Sequence, residues 1–137
     1  MGKQRRVLVI EDEDILAAEL QSLLETDGWL VTGVAADTAE AITLANEAKP
    51  DWAIVDLHLR DGLTGAQIGR RLTRDYAVPV LYVTSDAMSA PLDQPGVIGM
   101  FPKIFYGTNF REVLKFVEAH LNGPCRTVPP KYLIVPR

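Results

Sequence analysis

The sequence predicts a doubly wound α/β domain, a five-stranded parallel sheet covered by helices on both faces. Strand-like and helix-like segments alternate about five times along the chain, as in parallel sheets with helical crossovers. Four short apolar runs, Val7 to Ile10, Trp52 to Val55, Val80 to Val83 and Val97 to Phe101, have the pattern of strands buried on both faces. Each is followed closely by polar residues: Glu11-Asp12, Asp56, Thr84 and Lys103. Ends of parallel strands gather at one edge of the sheet, where open α/β folds bind ligands.

The elements follow in order. After the Val7 run, a helix from about Asp14 to Thr26 places Leu16, Leu20, Leu23 and Leu24 on one face, and Gly28 ends it. A second strand spans about Trp29 to Ala35. Asp37-Thr38-Ala39-Glu40 then reads as a capping box, with Ala41, Leu44, Ala45 and Ala48 on the buried side of the helix it opens. That helix stops before Pro50. Past the Asp56 strand, Asp61-Gly62 is turn-like. Thr64-Gly65-Ala66-Gln67 is a second capping box, opening a helix to about Arg74. In the stretch from Asp86 to Gly96, Pro91 and Pro95 oppose helix, so a loop or at most one turn is expected where a fourth helix would stand. Asn109 and Glu112 sit at capping spacing ahead of Phe110, Val113, Leu114, Val117 and Leu121, and Asn122-Gly123-Pro124 ends this last helix.

Its length suits one domain over 1–123 with a C-terminal extension over 124–137. With 14 basic against 18 acidic residues and a net charge of −4, the chain is not built for electrostatic binding to nucleic acid or an anionic membrane. The apolar stretch after Arg5-Arg6 is too short for a signal peptide. The lone Cys125 cannot form an internal disulfide, which fits a cytoplasmic location. In the extension, Tyr132-Leu133-Ile134-Val135 is bracketed by prolines. It is expected either to add a strand to a sheet edge of a second copy of the chain or to pack as an arm on its own domain.

Glu11, Asp12, Asp56, Thr84 and Lys103 converge on a divalent-cation and phosphoryl site. Two carboxylates about 4 Å apart repel by roughly 4 kcal/mol at an effective dielectric near 20, so clustered acids call for a cation. Mg²⁺ suits carboxylate sites that leave positions for water and phosphate. Singly, each residue has a plainer explanation: the acids favour a helix N-terminus, Asp56 could serve a turn, Thr84 could be a strand residue and Lys103 a solvated charge. Their joint placement at strand ends is what those explanations leave out. His58, His120 and Cys125 are read as having no catalytic role.

Four motifs in order, Val-Leu-Val-Ile-Glu-Asp at 7–12, Ile-Val-Asp-Leu at 54–57, Pro-Val-Leu-Tyr-Val-Thr-Ser at 79–85 and Met-Phe-Pro-Lys at 100–103, resemble those of the receiver domains of two-component response regulators. The resemblance covers residues 5 to 121 and implies the flavodoxin-like strand order 2-1-3-4-5. It implies that Asp12, Asp56, the backbone carbonyl of His58 and Glu11, directly or through water, hold Mg²⁺. It also implies that Asp56 accepts a phosphoryl group from a sensor histidine kinase or phosphotransfer protein, and that Thr84 and Lys103 contact the phosphoryl oxygens. Ser85 leaves room for that group, and the signal passes to a downstream protein by contact.

The chain departs from the family at several points. The loop after Asp56 lacks the usual proline, and its glycine, Gly65, falls one place late. Ile104 replaces the proline that follows the lysine, where a cis bond would cost about 3 kcal/mol. Met100, not an aromatic residue, lies three before the lysine, and Tyr82 and Phe101 read as core. His58 and Asp86 stand at the positions that flank the path of an attacking water in relatives. Other readings compete: a pseudo-receiver that only binds proteins, an aspartyl-nucleophile phosphohydrolase, for which His58 stands where a second Asp is needed, and a flavodoxin-like module, for which no glycine-rich phosphate loop follows the first strand.

Overall fold

The computed structural model describes residues 5–85, 90–123 and 128–136. The elements are β1 (Arg6–Ile10), α1 (Asp14–Thr26), β2 (Leu30–Ala35), α2 (Thr38–Ala48), β3 (Trp52–Val55), α3 (Gly65–Asp75), β4 (Val80–Thr84) and β5 (Val97–Pro102). A single 3-10 turn (Lys103–Phe105) then leads into α4 (Tyr106–Leu121). All strand pairs are parallel and the order is β2-β1-β3-β4-β5, as expected. No helix among the described residues is long and apolar enough to cross a membrane.

Alternate strand residues project to opposite faces. Val7, Val9, Trp52, Ile54, Leu81 and Val83 point to the layer of α1 and α4. Leu8, Ile10, Ala53, Val55, Val80 and Tyr82 point to the layer of α2 and α3. Both faces are covered, which is why these runs are apolar throughout. Trp29 and Trp52 meet edge to face, centroids 5.4 Å apart, beneath α1.

Some local expectations hold and others are corrected. The first capping box forms with a shift: Asp37 accepts from the Glu40 amide at 3.0 Å, while Glu40 reaches one residue further back and accepts from the Ala36 amide at 2.8 Å. Gly28 ends α1 with φ +90, and the Trp29 amide closes back on the Leu24 carbonyl. Leu23 is 38% exposed; the inward positions of α1 are Ala17, Leu20 and Leu24. Thr64 makes no side-chain cap on α3: its backbone is helical at φ −105, ψ −7, and its hydroxyl is turned to Asp61 Oδ1, to which it donates at 2.6 Å. Asn109 does not cap the last helix, which starts three residues earlier. Its backbone breaks the helix at φ −145, ψ 31, and its side chain turns to the Lys131 carbonyl.

Between β4 and β5, residues 90–96 form turns without a helix, and Asp86–Ser89 lie outside the described residues. Gln94 links this connection to β4 and α3. Tyr82 donates to Gln94 Oε1 at 2.7 Å, and Gln94 Nε2 donates to the Ala66 carbonyl at 3.1 Å, tying the connection to α3. Gly69 leaves the space, since a Cβ there would lie 2.0 Å from the Tyr82 hydroxyl.

At the other end, the segment 128–136 packs on its own chain. Ile134 and Met100 exchange both backbone hydrogen bonds, and Leu133 is buried among the residues of the α1/α4 layer. Cys125 lies outside the described residues.

Gly69→Ala should destabilise the protein by about 2 kcal/mol in urea titrations, although alanine normally favours a helix by about 1 kcal/mol over glycine. A neutral or stabilising result would show that Tyr82 and Gln94 yield freely.

Candidate functional site

The register of the sheet assembles the site. Ile10 pairs with Val55, and the Asp56 amide donates to the Ile10 carbonyl at 3.0 Å, so Glu11 and Asp56 leave adjacent strands side by side. Thr84 pairs with Pro102 at the ends of β4 and β5, which delivers Lys103 to the same edge. Glu11, Asp56 and Thr84 are the buried polar residues among those described. One carboxylate oxygen from each of Glu11, Asp12 and Asp56 falls within 4.8 Å of the others, a separation one divalent cation can bridge.

Lys103 is the counter-charge. Its Nζ lies 2.7 Å from Asp56 Oδ2 and 3.1 Å from Glu11 Oε1. The contact with Asp56 is a hydrogen bond, and that with Glu11 is an ion pair that leaves Glu11 Oε1 buried with the Lys103 ammonium as its charged neighbour. The donor set fits Mg²⁺: three hard carboxylate oxygens converging within 4.8 Å, two of them buried.

Burial, and then the Asp56 charge, push the Glu11 carboxyl up to about 7. Burial alone would lower the Lys103 ammonium, but its close contacts with the Asp56 and Glu11 carboxylates carry it above its ordinary value. The Lys103–Ile104 peptide is trans, and the lysine still reaches both acids.

The loop after Asp56 is fixed by local chemistry. The His58 amide donates to Asp56 Oδ1 at 3.4 Å, anchoring the turn that carries the His58 carbonyl. Leu59 and Gly62 close a tight turn with two backbone bonds, Gly62 at φ +111. Asp61 accepts from the hydroxyls of Thr64 and Thr38, which holds its carboxyl down at about 2. Arg60 pairs with Asp37 at 2.6 Å, joining the loop to α2. Gly65 is required because a Cβ there would lie 2.1 Å from the Asp56 carbonyl oxygen; its one-place shift still brings α3 onto the end of β3. Ser85 is exposed, and Asp86 lies outside the described residues.

Sequence reasoning missed Tyr106. Its buried hydroxyl has no hydrogen-bond partner among the described residues, and its acidity is suppressed by burial and then by the charges of Glu11 and Asp56. The available signal was its place three residues after Lys103, which on a helical path returns it to the same side.

Folding raises the Glu11 carboxyl from 4.5 to about 7, so across that window the native state holds a proton the unfolded chain has released. Glu11 therefore contributes stability that is complete below the lower value and lost as pH rises through the upper one. Urea midpoints without divalent metal should fall more steeply from pH 5 to 8 for the wild type than for Glu11→Gln, and Mg²⁺ should restore the wild type most at pH 8. Parallel profiles would contradict this.

Comparison with known proteins agrees with the geometry. The family model for the response regulator receiver domain matches residues 7–115. The phyllosphere-induced regulator PhyR of Methylorubrum extorquens is 38% identical over 80 residues, 58% of this chain and 30% of that protein. This chain therefore spans under a third of that relative's length. The solution structure of the PhyR receiver domain of Erythrobacter litoralis superposes with a TM-score of 0.75 at 24% identity, covering 90% of this chain and 97% of that one, a likeness of fold. Anti-anti-sigma factor PhyR complexed with anti-sigma factor NepR, from Bartonella quintana, matches at a TM-score of 0.53 and 27% identity, over 56% of this chain and 32% of that one. With its strand order, its acidic cluster and the family match over most of its length, the chain belongs to the response regulator receiver domain family.

Proposed function

We propose that this receiver domain is a Mg²⁺-dependent phosphoacceptor that takes a phosphoryl group on Asp56 and signals by protein contact. The observation that carries the reading is the convergence of three carboxylates within 4.8 Å, one of them hydrogen-bonded to Lys103 at 2.7 Å, at the carboxyl edge of the sheet. A purely structural ion pair has no need of Asp12, a third carboxylate beside the two that Lys103 contacts.

Asp12, Asp56, the His58 carbonyl and Glu11, directly or through water, would hold the metal. When bound, Mg²⁺ supplies positive charge against the phosphoryl oxygens. An Asp56 carboxylate oxygen attacks phosphorus; the phosphorus–nitrogen bond of a phosphohistidine breaks, and the imidazole leaves with its electron pair and takes up a proton. The product is an acyl phosphate. Lys103 then serves the new phosphoryl oxygens as a point charge and Thr84 as a hydroxyl donor. The donor is a sensor histidine kinase or phosphotransfer protein. The output is a downstream protein, by analogy with the PhyR–NepR complex. Residues 1–123 carry the chemistry and 124–137 form an extension, of which 128–136 packs on the domain.

Intact mass after incubation with Mg²⁺ and phosphoramidate tests the reading. One added phosphoryl group is expected, lost without Mg²⁺ and in Asp56→Asn. Uptake that survives Asp56→Asn, or none in the wild type, overturns it.

A further inference from the structure

The segment 128–136 grips the chain on both sides of Lys103. Upstream, Met100 and Ile134 exchange backbone hydrogen bonds of 2.8 and 3.0 Å. Gly99 permits this approach, since a Cβ there would lie 2.6 Å from the Ile134 carbonyl oxygen. Downstream, the Tyr132 ring lies flat on Phe105, centroids 3.7 Å apart and planes 8° from parallel. Asn109 Nδ2 also donates to the Lys131 carbonyl at 2.5 Å. Between these two grips Leu133 enters the core.

Apart from the C-terminal segment, the turn they bracket is held to the core through Phe105, which is half-buried and meets Phe101 edge to face at 6.5 Å. Lys103–Phe105 is three residues long, none of them is buried, and Ile104 is 80% exposed. Yet from this turn the Lys103 ammonium must reach two buried carboxylates.

We infer that the C-terminal segment positions Lys103: Tyr132 acting through Phe105, and Ile134 acting through Met100, fix the turn from which the ammonium reaches Asp56 and Glu11. Tyr132 is thus a positioning residue, distant from the reacting atoms. The positioning itself stands on this geometry; its effect on phosphoryl uptake rests on the phosphoacceptor reading. Linkage makes the coupling reciprocal, so a group on Asp56 that draws Lys103 away weakens the hold of 128–136 on β5.

The test uses the full chain as wild type, Tyr132→Phe, Tyr132→Ser and Leu24→Ala, the last destabilising a remote part of the core. Acylation of Lys103 by an amine-reactive ester, followed by peptide mass spectrometry with exposed Lys115 as internal reference, needs no phosphoryl chemistry. Tyr132→Ser should label Lys103 several-fold faster, while Tyr132→Phe, which keeps the stack, and Leu24→Ala behave as wild type. Labelling of Tyr132→Ser at the wild-type rate, or equal acceleration by Leu24→Ala, overturns the positioning. If Tyr132→Ser does not fold, Tyr132→Leu takes its place, keeping bulk without a flat ring. With Mg²⁺ and phosphoramidate, the initial rate of uptake should fall on the order of tenfold in Tyr132→Ser and be retained in Tyr132→Phe. Unchanged uptake beside faster labelling refutes the functional consequence. No uptake by the wild type refutes the phosphoacceptor reading instead, and the labelling still decides the positioning.

Discussion

Glu11 and Asp56 are carboxylates buried on adjacent strands, and Lys103 is the group that lets them remain there. Without it, their mutual repulsion and loss of hydration would oppose closure of this edge of the sheet. The lysine comes from β5, two strands from β3, a distance of about 10 Å across the sheet. Its side chain therefore passes over the end of β4, where Thr84 stands. The strand order, the close approach of α3 at Gly65 and the turn after β5 are all conditions for that one contact. A folded state that holds one cation against three acids is also one in which a second cation has favourable work to do.

The outer strand of such a sheet normally leaves a row of unpaired backbone groups. Here β5 is one of the two outer strands, and residues 128–136 cover part of it, with Ile134 paired to Met100 and Leu133 inserted below. A segment that could have reached a neighbouring molecule is seated on its own domain. On the other side of β5, where a helical crossover would shield the sheet, Tyr82 and Gln94 make the closure with two hydrogen bonds and one glycine. Among the described residues, the two ends of the β4–β5 region are thus secured by side chains and a terminal segment.

The sheet and its polar edge were legible because strands buried on both faces have few ways to be written, and the residues that end them must be the edge. The pairing of Asp37 with Glu40 was legible because both partners lie within one turn. Thr64 was misread because its side chain is drawn to Asp61, which arrives only when the Leu59–Gly62 turn closes. Asn109 was misread for a similar reason: its partner is a carbonyl 22 residues away. The inward orientation of Tyr106 and the bridge of Gln94 to Ala66 depend on elements that meet only in the folded chain. The apolar tail was seen, but which sheet edge would receive it was set by Gly99, a residue that carries no hydrophobic signal.

Trp29 and Trp52 form one edge-to-face pair under α1, and Trp52 begins the strand after which Asp56 stands. Four residues of extended chain set that indole about 13 Å from the acid along the strand. Both indoles are buried and far from the cluster that would hold a metal, so their emission reports whether the core is closed and is silent to contact quenching at the carboxylate edge. The protein carries an intrinsic optical gauge of folding that is separate from occupancy of its site.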